Sequence, residues 1–151
     1  MLFKLSTTSL EDINLKDGLH TESTGAFCTF EGLVRNHSNE RKVIALEYEA
    51  LPPLCHKEAE KIFQEAHKQF NILNGKCFHR VGKLDVGDLA VWVGVSAAHR
   101  DDAFKACRYI IDEVKARLPI WKKEFFSDGD SGWVNCQNNA PRDGAKTRRA
   151  A

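Results

Sequence analysis

From Leu89 to Ala97 the chain reads Leu-Ala-Val-Trp-Val-Gly-Val-Ser-Ala, a run of nine residues without a charge. Both period-two faces of that run are apolar. A strand of this kind has to be covered above and below, which places it in the middle of a sheet. Close behind it, Ala103, Phe104, Cys107, Ile110, Ile111 and Val114 recur at helical spacing. They predict a helix from about His99 to Arg117, ended by Pro119 because the residue before a proline avoids the helical region. A central strand that feeds directly into a long amphipathic helix sets the frame for the rest of the chain.

Residues 25–34 alternate, with Ala26, Cys28 and Phe30 on one face, and residues 43–50 place Ile44, Leu46 and Tyr48 together. The two segments read as a β-hairpin joined by a long polar connection, Arg35 to Lys42, of the kind that carries function. After Pro52 and Pro53, the positions Cys55, Ala59, Ile62, Phe63, Ala66 and Phe70 give a first helix. A strand over Lys76 to Leu84 precedes the turn Asp85 to Asp88, and Ile120 to Phe126 with Gly132 to Cys136 form a last hairpin. Two helices are too few for a doubly wound sheet, so the order of elements predicts an α+β fold with a mostly antiparallel or mixed sheet. One domain over residues 1–136 is expected, followed by a polar, basic and flexible tail over 137–151.

With 151 residues, 42% hydrophobic and 28% charged, the chain is long enough to bury one core. Its 22 Lys and Arg against 21 Asp and Glu leave no global field for nucleic acid or an anionic membrane. RNA binding through the basic stretches Arg35 to Lys42 and Lys146 to Arg149 is a weaker rival, against which the neutral net charge and the lack of an aromatic-and-basic repeat argue. No apolar run approaches a membrane span, and a cytoplasmic protein is expected. Five scattered cysteines, without a CxxC pair, suit neither a disulfide framework nor a metal site, and most are expected to be reduced core fillers.

Three sets of cations stand at junctions between elements: Arg35 with Asn36 and His37, His99-Arg100 at the start of the second helix, and Lys115 with Lys122 across the corner made by Pro119. A helix start favours an anion through its unpaired N–H groups and its dipole. Arg100 falls on the meridian of the buried stripe, which predicts a guanidinium paired either with a bound carboxylate or phosphate or, structurally, with Glu31 or Glu47. Two lysines seven positions apart around a corner can face one pocket, where repulsion and burial would make one of them a usable acid, base or amine. By themselves these residues define a composite cationic pocket without a specific reaction. A docking module for an acidic protein tail would have the same cations, but would leave Lys115 exposed and unpaired.

Gly25-Ala26-Phe27 through Gly32-Leu33-Val34-Arg35-Asn36-His37, His79-Arg80-Val81-Gly82, the Ser96 to Arg100 block and above all Lys115-Ala-Arg-Leu-Pro-Ile-Trp-Lys122-Lys-Glu124 resemble the large, catalytic subunit of molybdopterin synthase. The resemblance runs in order from about Gly25 to Val134. It implies an α/β hammerhead-type domain with an additional small antiparallel β subdomain. It also implies a sulfurtransferase of molybdenum cofactor biosynthesis, which converts cyclic pyranopterin monophosphate to molybdopterin. The sulfur would arrive as a thiocarboxylate on the C-terminal Gly-Gly of a small ubiquitin-like partner, and a homodimer of this chain would sit within a heterotetramer. No cofactor or metal is implied. Lys115 and Lys122 take the catalytic roles. Leu33, Val34, Arg35, His99, Arg100, Lys115, Lys122, Lys123 and Glu124 form the substrate site. Where some members carry an Arg after the last strand, this chain has Gln137, with Arg142 the nearest basic residue.

Overall fold

A computed structural model describes residues 1–139 of the chain. The elements run β1 (Leu2–Ser6), a 3-10 turn at Leu10–Asp12, β2 (Ala26–Leu33), β3 (His37–Ser38), β4 (Arg41–Ala50), α1 (Pro52–Gln69), β5 (Ile72–Arg80) and β6 (Gly82–Asp85). They continue with β7 (Leu89–Ala97), α2 (Arg100–Arg117), β8 (Ile120–Phe126), β9 (Gly129–Asp130), β10 (Val134–Asn135) and a second 3-10 turn. The α+β expectation holds, with two sheets. The first has the order β1-β5-β7-β2, with β1 parallel to β5 and the other pairs antiparallel. The second has the path β10-β8-β4-β3, with β6 against β4 and β9 against β8.

The charge-free run forms β7, flanked by β5 and β2 and buried along its whole length, as its two apolar faces require. On one face, α1 and α2 pack Ile62, Phe63, Ala66, Ala106, Ile110 and Val114 against Cys77, Val91, Val93 and Val95. On the other face, Leu10 and Leu19 of the segment after β1 close over Phe78, Leu89 and Trp92. The indole of Trp92 lies over Gly94, where a Cβ would collide with its ring. Three of the five cysteines, Cys55, Cys77 and Cys107, are buried in the main core as expected.

The hairpin expected between residues 25–34 and 43–50 is not formed. β2 pairs with β7, and β4 pairs with β6 and β8 in the other sheet. Period-two patterning reports which face of a strand is buried and carries no information on its neighbour. The polar connection contains a tight turn instead. Asn39 and Glu40 both adopt positive φ, so that His37-Ser38 folds back on Arg41-Lys42. Arg41 is used structurally, with its guanidinium 3.7 Å from the Phe126 ring centroid and 2.7 Å from Asp128.

The strand expected over 76–84 is two strands. Gly82, at φ +88°, turns the chain out of the first sheet so that β6 can join the second. The end of α2 is tied down in the same region. Pro119 O accepts from Leu51 N at 3.2 Å and from the Cys55 thiol at 3.6 Å. None of the helices among the described residues is long and apolar enough to cross a membrane. The tail from residue 140 onward, with Arg142 and the Lys146–Arg149 run, lies outside the described residues.

Candidate functional site

The two sheets meet at the C-terminal end of α2, and a cavity of about 120 Å³ opens in the seam. The first sheet supplies Gly32 and Leu33 from β2, His79 from β5, and Ala90 and Val91 from β7; the second supplies Tyr48 from β4 and Lys122 from β8. Val114, Lys115 and Leu118 come from the end of α2, and Cys136 from the turn after β10. Gly32 fits here because a Cβ would come within 2.6 Å of Val91, beside the bulge where β2 shifts register. Gln137 donates from Nε2 to the Arg117 carbonyl at 2.7 Å, which holds Cys136 against the helix end.

The predicted pair of lysines therefore shares one cavity, because Pro119 reverses the chain within a few residues. Lys122 is half-buried, with Glu124 on the same face of β8 at 3.8 Å. Lys115 is solvent-accessible and makes no hydrogen bond or ion pair among the described residues. That is the arrangement expected of a docking cation. It is also what a reactive lysine shows in an open pocket whose occupant is still to arrive.

Three lining residues with polar atoms were not foreseen. His79 is buried, 8% exposed, and its ring packs edge-on against Tyr48 with 4.9 Å between centroids. Nδ1 donates to the Arg80 carbonyl at 2.7 Å; a carbonyl can only accept, so Nδ1 carries the proton and Nε2 is left a bare acceptor. Burial pushes the imidazole pKa down to about 4, with the nearby Lys115 charge acting in the same direction. Burial also raises the Tyr48 hydroxyl far above its ordinary range. The Cys136 thiol is raised by burial, which outweighs the opposing pull of Lys122 and Lys115. The cavity thus offers two cations, two protonated neutral groups and one neutral acceptor.

The other predicted site residues lie elsewhere. Val34 is buried with Leu46, Leu84 and Ala90. Arg35 is exposed just past β2. Lys123 points to the opposite face of β8 from Lys122, as strand alternation dictates, with its ammonium 5.2 Å from the Phe125 ring centroid. His99 and Arg100 line a separate recess with Gly25, Ala98, Asp101 and Phe104. The expected burial of Arg100 is corrected: as the first residue of α2 it is exposed, because the helix stripe reaches the core only from Ala103 onward. No ion pair to Glu31 or Glu47 forms. At 1.5 Å per residue, Arg100 and Lys115 stand about 22 Å apart along the helix. Arg117, inside the same motif as the two lysines, is a strut. It donates to Glu65 at 2.6 Å and Glu58 at 3.2 Å, and so clamps α2 to α1.

Residues 5–117 match the profile of the MoaE protein family. The molybdopterin synthase catalytic subunit of Synechococcus elongatus is 45% identical over 129 residues, covering 82% of this chain and 78% of that protein. The crystal structure of molybdopterin synthase from Staphylococcus aureus superimposes with a TM-score of 0.78 at 33% identity, covering 88% of this chain and 95% of that one. A Helicobacter pylori complex of subunits 1 and 2 of molybdopterin-converting factor has a chain that matches with a TM-score of 0.70, at 22% identity, over 85% of this chain and 87% of that chain. At that identity the likeness is one of fold.

Proposed function

The chain belongs to the MoaE protein family, and from that membership we propose that it is the catalytic half of a sulfurtransferase that builds the dithiolene of molybdopterin on cyclic pyranopterin monophosphate, in the cytoplasm. The observation that carries this reading is the convergence of Lys115 and Lys122 on one cavity. Sulfur comes from outside the chain. Cys136, the one thiol lining the cavity, is held protonated and is a poor nucleophile. The donor is a thiocarboxylate at the C-terminal Gly-Gly of a small ubiquitin-like partner, whose tail enters the open side of the cavity.

As an oxygen nucleophile adds to the acyl carbon, negative charge develops on the acyl oxygen, and it collapses when sulfur leaves as thiolate. The Lys115 ammonium, free of any carboxylate partner among the described residues, stabilises it there. Lys122, restrained by Glu124, orients the anionic substrate. Leu33 forms the lip of the cavity, and Arg35 stands just past it.

His99 and Arg100 bind the substrate phosphate at the start of α2, where His99 makes no side-chain cap to the helix and leaves the first N–H groups available. One chain cannot bring them to Lys115 across about 22 Å of helix. A second copy of the chain supplies them, which makes the homodimer a requirement of the site and the heterotetramer its full assembly.

The test is to mix the chain with a thiocarboxylated small subunit and cyclic pyranopterin monophosphate, and to follow molybdopterin through its fluorescent oxidation product. Product that disappears in Lys115→Ala and Lys122→Ala is the expected result. A stable complex without product would leave the docking role that the exposure of Lys115 also allows.

A further inference from the structure

His79 lines the cavity but takes no part in the chemistry described so far, yet its position is costly. A buried imidazole is desolvated, and its remaining nitrogen has no partner among the described residues although it borders a cavity. Both the Nδ1 bond to Arg80 O and the edge-on Tyr48 ring fix the orientation of the ring, with Nε2 as its only open acceptor. Around it, Lys115 and Lys122 are cations and Tyr48 and Cys136 carry their protons, while the Glu124 carboxylate is drawn to Lys122. Among the described residues, His79 is the one side chain lining this cavity as an unprotonated group with a free lone pair.

The chemistry has an unfilled role for such a group. When the thiocarboxylate sulfur takes the place of an oxygen substituent on a carbon of the substrate, with that carbon–oxygen bond broken and its electron pair leaving on oxygen, the partner's terminus is joined to the substrate as a thioester. Release needs a water oxygen to bond to the acyl carbon and the carbon–sulfur bond to break, with its electron pair leaving on sulfur as thiolate. The water gives up two protons, one as it attacks and one when the new carboxylic acid ionises. No oxidant or reductant is consumed.

We infer that His79 is the base for this step: Nε2 holds the hydrolytic water against the acyl carbon and takes its first proton, opposite the Lys115 ammonium that stabilises the acyl oxygen. The inference rests on the sulfurtransferase reading. Burial keeps the imidazole neutral, with its Nε2 lone pair available, at any pH near 7.

Single-turnover reactions with the thiocarboxylated small subunit, followed by intact mass, test it. In His79→Asn the side-chain amide keeps a donor for Arg80 O but removes the acceptor at the cavity; in His79→Gln an amide oxygen returns there but cannot take a proton. Both variants should slow release of the partner by about 10²–10⁴-fold, with the partner–pterin thioester accumulating. Hydroxylamine, which cleaves thioesters without a base, should discharge it as a hydroxamate. Wild-type turnover in His79→Asn overturns the inference. So does slow turnover without accumulated thioester or rescue by hydroxylamine, which would make His79 a structural residue. A wild-type chain that forms no product overturns the sulfurtransferase reading instead, and the inference with it.

Discussion

At its C-terminal end α2 presses Val114, Lys115 and Leu118 into a seam where two sheets converge, with His79 and Tyr48 behind them. At its N-terminal end the same helix leaves His99, Arg100 and Phe104 in an open recess beside Gly25 and Ala98, and Phe104 is 61% exposed. One end is backed by its own chain, so His79 and Tyr48 are desolvated and oriented before any ligand arrives, while Lys115 stays open to solvent. The other presents an uncapped helix start and an exposed aromatic ring to whatever comes against it. Under the proposed function the two ends of one helix would serve the same reaction without meeting, each in a different copy of the site.

The sharpest way to break this account is complementation. Lys115→Ala should lower product formation by about 10²–10³-fold, and Arg100→Ala should lower it severely as well. A mixture of the two variants that exchange subunits should recover about a quarter of wild-type activity, since half of the dimers then hold one intact site. A mixture as inactive as its parts would mean that Arg100 and Lys115 do not share a site.

A smaller effect belongs to the enclosed end alone. The His79 imidazole takes a proton near pH 6.5 when unfolded and only near 4 when folded. The unfolded chain binds more protons between those values, so stability is full above about pH 6.5 and falls as the pH drops toward 4. The loss attributable to this group is about 3 kcal/mol. Urea titrations at pH 7 and pH 5 should show the slope in the wild type and a reduced one in His79→Asn. The smallest change is expected at the strut: Arg117→Ala should lower the melting temperature by about 2–4 °C while leaving the pKa-linked slope in place, because its bonds to Glu58 and Glu65 lie outside the cavity.

What could be read from the sequence follows from what each pattern measures. The limits of β7 and α2 were legible because an uninterrupted apolar run and a helical stripe stopped by proline are local signals. The Lys115–Lys122 juxtaposition was legible for the same reason, since only one corner separates them. The pairing of β2 with β7 was not, because strand faces say nothing of neighbours. Lys123 could have been set apart from Lys122 by alternation once β8 was recognised as a strand. Arg100 was misjudged because a helical wheel assumes that the core runs the full length of the helix. His79 sat inside a recognised motif without a role, since its meaning comes from Tyr48 on another sheet and from a backbone carbonyl next door.

The contact between Trp92 and Gly94 has a consequence for the history of such a chain. Any side chain at 94 strikes the indole, and any smaller residue at 92 opens a void under Leu10 and Leu19 that costs about 3–5 kcal/mol for a full truncation. The two positions are coupled, so a chain that gains a side chain at 94 has to lose bulk at 92.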